Sequence, residues 1–73
     1  MATLIGTEVE IIRYESEPWL VGRTGRIVAG PWSPLGPGHD VVWTVEIPSF
    51  PEPLLRIMRS WQFWLLWFGA YRR

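Results

Sequence analysis

The segment VVWTVEI, residues 41–47, sets Val41, Trp43, Val45 and Ile47 on one face of an extended chain and Val42, Thr44 and Glu46 on the other. A period of two built from β-branched and aromatic residues is the pattern of a half-buried strand. The alternation recurs in TEVEIIR, where Val9 and Ile11 point one way and Glu8, Glu10 and Ile12 the other. RIVAG, residues 26–30, reads as a further short strand. Between these runs the chain is punctuated. In ESEPWLVGRTG, charge, proline and glycine mix, and Pro18 holds Glu17 extended. GPWSPLGPGHD, residues 30–40, carries three prolines and three glycines in eleven positions and is a loop. The expected core is Val9, Ile11, Ile27, Val41, Trp43 and Val45.

GRTGRIV, residues 22–28, has the glycine content of a phosphate-binding loop but not its grammar. A Walker-type loop separates its glycines by four residues and follows them with Lys and Ser/Thr at the start of a helix. Here two residues separate the glycines, lysine is absent from the chain, and a strand follows. The dinucleotide fingerprint fails for the same reason, since no βαβ unit can be drawn. Gly22 and Gly25 therefore mark a bend. At least one of them is expected to take a positive φ or to meet another backbone too closely for a Cβ.

Seventy-three residues make one small domain, near the size at which a single core only just suffices. The chain has no cysteine, which removes disulfides, thiolate metal sites and cysteine nucleophiles. Burial has to hold it together, and six Trp, three Phe and two Tyr supply the apolar surface. The seven basic residues are all arginine and are balanced by seven acids, so the global field of a non-specific nucleic-acid binder is missing. MATLIGTEVEII lacks the positive start of a secretory signal, and no apolar run approaches a membrane span. A cytoplasmic location is the expectation.

The C-terminal third admits two readings. As a helix, Leu54, Met58, Trp61, Leu65 and Phe68 form one stripe, with Pro53 in the first turn and Gly69 as the cap. As strands, LLRIM and WQFWLLWF are equally rich in suitable residues. A short turn or helix starting near Pro53 is preferred.

The first strand with its valine–isoleucine alternation, then LVGRTGRIVAG, a variable loop and VVWTVEI together resemble the small SH3-like β-barrels, in particular the KOW-type subset. In those folds a G-x-x-G-x-I/V segment links the first strand to the second. A proline-marked 3₁₀ turn often precedes the last strand there, and PEPLLRIM fits that turn and strand. The resemblance covers residues 4–58. It implies a mainly β fold: a barrel of about five short strands with a short C-terminal helix or extra strand. Residues 1–59 would form the barrel, and residues 60–73 an aromatic tail packing on the barrel or on a partner.

Catalytic equipment is lacking. His39 is the single histidine and stands next to Asp40, but no second histidine or cysteine completes a site. Ser16, Ser33, Ser49 and Ser60 lack a nucleophile's context, and Glu8, Glu10, Glu15 and Glu17 read as a solvated face. No enzyme, cofactor or metal is implied. The tail is the sharper signal: WQFWLLWF holds seven large apolar residues in eight positions, more than one end of a small barrel can cover. Trp61, Trp64 and Trp67 are therefore expected to bind a larger protein or a second copy of the chain, with Arg56 and Arg59 orienting the partner. Compact cysteine-free chains of this kind are common among phage and mobile-element accessory and inhibitory proteins, and that role belongs to the expectation. The alternative follows from the KOW resemblance: a nucleic-acid site using Arg23 and Arg26 on phosphates and Trp19 and Trp32 on bases. A lipid surface is the least favoured partner.

Overall fold

The alternating runs become strands in a computed structural model, which describes residues 4–34, 36–38 and 40–66. β1 is Glu8–Ile11, β2 Thr24–Trp32, β3 Val42–Ile47, β4 Leu54–Arg59 and β5 Phe63–Leu65. They form one open antiparallel sheet in the order β4-β3-β2-β1-β5, with β4 and β5 as its edges. Two 3₁₀ turns interrupt the strands, at Pro18–Leu20 and Ser60–Gln62.

One face of the sheet makes the core. Val9 and Ile11 from β1, Ile27 from β2, Val45 and Ile47 from β3, Met58 from β4 and Phe63 from β5 are buried together, and the first 3₁₀ turn adds Leu20. Each fully buried aliphatic or aromatic side chain contributes about 1.5–3 kcal/mol relative to its exposed state. Trp43 packs on this cluster half-buried, its ring edge-to-face with Phe63 at 5.9 Å and 84°. Val41 does not join the core. It precedes β3 and is 36% exposed, whereas Val42 is 7% exposed. Val42 lies on the outer face, opposite Trp32 in the ladder, and the Trp32 indole N–H donates to Thr44 Oγ1 at 3.3 Å. Trp32 thereby shields Val42, which alternation alone assigned to solvent.

The bend at GRTGRIV has both features expected of it. Gly22 takes φ +92° with open space around it. Gly25 has ordinary φ, but a Cβ there would lie 2.7 Å from the Glu46 carbonyl oxygen and 2.8 Å from Val45 Cγ1. One glycine is required by its torsion and the other by a neighbouring strand. Further along, β2 changes register against β3 between Ile27 and Ala29 and again between Ala29 and Trp32, the mark of bulges that curl a long strand.

The preferred helix from Pro53 is overturned: among the described residues there is no α-helix, and residues 54–65 form β4, a 3₁₀ turn and β5. Each of the six residues of β4 has a partner in β3, from Ile47↔Leu54 to Val42↔Arg59. This docking turns Leu54, Arg56 and Met58 toward the core face and leaves Leu55 and Ile57 exposed. The helical stripe would have buried Trp61, which is 50% exposed, and would have left Phe63 off the buried side, where it is 4% exposed. The 3₁₀ turn expected at the proline segment sits instead at Ser60–Gln62, and PEPLLRIM supplies β4.

Candidate interaction surface

β5 is short, and its three residues divide cleanly. Phe63 enters the core and Leu65 packs against it, while Trp64 between them faces outward and is 60% exposed. Pairing with β1 fixes this division, with Ile11↔Phe63, Glu10↔Trp64 and Val9↔Leu65 in register. Ile12, on the outer face of the same sheet edge, is also exposed.

Trp61 stands on the 3₁₀ turn just before β5, and that turn is braced from both sides. The Gln62 side-chain oxygen accepts the Arg59 N–H at 2.8 Å. Its backbone carbonyl accepts N–H groups from Ile12 and Arg13 at 2.9 and 3.2 Å. Trp61 and Trp64 thus project from backbone held by hydrogen bonds and by a buried neighbour. Trp67, the third indole expected at this surface, lies outside the described residues, as does His39.

The two arginines assigned to the same surface differ. Arg56 lies in the core-facing row of β4, where its Nε and Nη2 donate to the two Glu17 carboxylate oxygens at 2.5 and 2.9 Å. Its Nη1 donates to the Leu55 carbonyl at 2.9 Å. The side chains of this pair are mostly shielded, so the fork faces the loop before the first 3₁₀ turn rather than an approaching partner. The hydrogen bond from Arg56 holds the Glu17 carboxyl below the usual glutamate range and raises the guanidinium further. Sequence reasoning missed Glu17 in this role, because the 39-residue separation from Arg56 leaves no local trace. Arg59 is open to solvent and meets Asp40 at 3.4 Å, an exposed pair of small energetic weight.

The residues of the alternative site are all exposed, and three of them also meet a group of the fold. Arg23 Nη2 donates to the Pro48 carbonyl at 2.9 Å, and Arg26 faces Glu8 at 3.7 Å. Trp32 lies along the outer face of β3 as described, and Trp19 stands exposed on the first 3₁₀ turn. Among the described residues no group of three or more His, Cys, Asp or Glu is arranged to hold a metal ion, and no helix is long and apolar enough to cross a membrane. Comparison of the chain with protein-family models, with curated proteins and with solved structures gives no match.

Proposed function

We propose that this chain is a small SH3-like interaction module that binds another protein through Trp61 and Trp64. The SH3-like part of the reading is supported by the strand order, by antiparallel pairing throughout, and by a 3₁₀ turn immediately before the last described strand. The binding part rests on one observation: Phe63 takes the core position that β5 offers, and Trp61 and Trp64 are left 50% and 60% exposed on either side of it. Because the flanking backbone is paired to β1, these indoles cannot turn inward without breaking the ladder. Rigid, half-exposed tryptophans are the side chains that dominate protein–protein contacts.

The test is affinity capture from host extract with the wild-type chain and with a Trp61→Ser, Trp64→Ser double variant, followed by reconstitution with the purified partner. Binding that needs the indoles and persists through a salt titration supports the reading. Capture of nucleic acid that weakens steeply with salt would replace it with the arginine-based alternative. Equal binding by both chains would remove the aromatic surface from consideration.

A further inference from the structure

The free edge of β4 is half-closed by its own side chains, in a pattern that matches a second copy of the same edge. Ile27 directs both its backbone groups toward β1, to the Thr7 carbonyl and the Gly6 N–H, so its neighbour Arg26 faces Glu46 of β3, and Val45 in turn faces Arg56 of β4. Backbone groups of successive strand residues point to alternate sides. Arg56 therefore directs its N–H and C=O toward β3, and Leu55, Ile57 and Arg59 direct theirs to the open edge. Two of those edge groups are occupied: the Arg59 N–H donates to Gln62 Oε1 and the Leu55 carbonyl accepts from Arg56. The Leu55 N–H and both Ile57 groups have no partner among the described residues, and the Arg59 carbonyl, which opens the 3₁₀ turn at Ser60–Gln62, keeps its second lone pair. On the outer face of this edge, Leu55 and Ile57 are 56% and 59% exposed.

We propose that β4 pairs antiparallel with β4 of a second copy, with the two-fold axis at Ile57. In that register Ile57 stands opposite its counterpart and the two exchange N–H···O=C bonds, while each Leu55 N–H donates to the Arg59 carbonyl of the other copy. The one exchange the register would otherwise add runs from the Arg59 N–H to the Leu55 carbonyl. Those are the two groups already satisfied within each chain. No donor or acceptor is stranded, and none has to be freed. Shifting the axis to Arg56 would oppose Leu55 and Ile57, and the occupied Leu55 carbonyl would then block an Ile57 N–H on each side. The outer face gains an apolar strip from Ile57 across the axis, continued in each copy by Val42 and Trp32. A contact of this size belongs with weak, concentration-dependent associations.

The surface is separate from Trp61 and Trp64, and sedimentation equilibrium on the full chain tests it with charge-swap variants. The wild type is expected to dimerise as concentration rises. Ile57→Glu and Ile57→Arg each set like charges opposite one another across the axis and should be monomeric, with unchanged circular dichroism and thermal midpoint. Mixing the two variants should restore the dimer, because opposite charges then meet. The Trp61→Ser, Trp64→Ser variant should dimerise as the wild type does. A wild type that stays monomeric, single variants that still dimerise, or a mixture that fails to restore association would each overturn the proposal. Loss of the dimer in the tryptophan variant would transfer the self-association to the aromatic surface.

Discussion

Arg56 grips Glu17 with two parallel hydrogen bonds, joining the core-facing row of an edge strand to the loop that delivers Leu20 to the core. The hydrogen bond lowers the Glu17 pKa, with the Coulombic attraction adding to it and burial opposing it. A carboxyl whose folded pKa is depressed stabilises the fold above its unfolded pKa, and that stabilisation is lost as pH falls through the folded value. The thermal midpoint of wild type should therefore exceed that of Glu17→Gln near neutral pH. The two curves should converge in acid, below the ordinary glutamate range. Parallel curves across the whole pH range would show that the pair carries no linkage.

Gly22 and Gly25 should answer differently to the same substitutions. Gly25→Ala places a methyl group against the Glu46 carbonyl and should destabilise by about 1–3 kcal/mol, with Gly25→Val worse. Gly22 has space but a positive φ, so Gly22→Asn should be milder than Gly22→Val, which costs about 1–2 kcal/mol through the backbone alone. Urea midpoints for the four variants check the pattern. Equal tolerance at both glycines would contradict the close strand approach.

Trp43 presents its ring to Phe63 while its indole N–H is buried without a partner among the described residues. Trp43→Ala should cost about 3–5 kcal/mol through the lost ring. Trp43→Phe keeps much of the contact and removes the unsatisfied donor, so it should lose clearly less. Denaturant unfolding of both variants decides the point, and an unchanged midpoint for Trp43→Ala would remove the residue from the core.

Within the tail, neighbouring aromatics should separate sharply. Phe63→Ala is expected to destabilise by about 3–5 kcal/mol, whereas Trp61→Ser and Trp64→Ser should stay within about 1 kcal/mol of wild type. A neutral quencher should reach both indoles in the isolated chain. Shielding of both would place them in a contact that exposure in the single chain does not reveal.

The strands at TEVEII, RIVAG and VVWTVEI were legible because each buries one face, and a period of two then shows directly in the residue types. Val41 misled because it continues the alternation one step beyond the point where β3 begins, and because Trp32 covers Val42 from a distant part of the chain. Residues 54–65 were ambiguous for a different reason. Apolar residues are dense enough there to satisfy the helical and the extended period together, and only the free sides of β3 and β1 decide between them. The exposed Trp61 and Trp64 followed from a volume argument that needs no geometry. The Glu17–Arg56 clasp and the half-closed edge of β4 depend on pairing between distant segments, which composition and local spacing do not encode.

Phe63 fills its place only when β5 lies against β1, and its partner in the ladder, Ile11, precedes it by 52 residues. During synthesis, the meander of β2, β3 and β4 leaves the ribosome before the strand that covers β1. Until then Val9 and Ile11 have pairing on one side only. Closure across so long a separation is entropically slow, and it leaves apolar surface open in the meantime. The nascent chain is thus most vulnerable to chaperones, proteases and neighbouring chains in the interval before residues 63–65 emerge. A substitution that weakens β5 should lengthen that interval, lowering the yield of folded protein in the cell more than its effect on equilibrium stability would suggest.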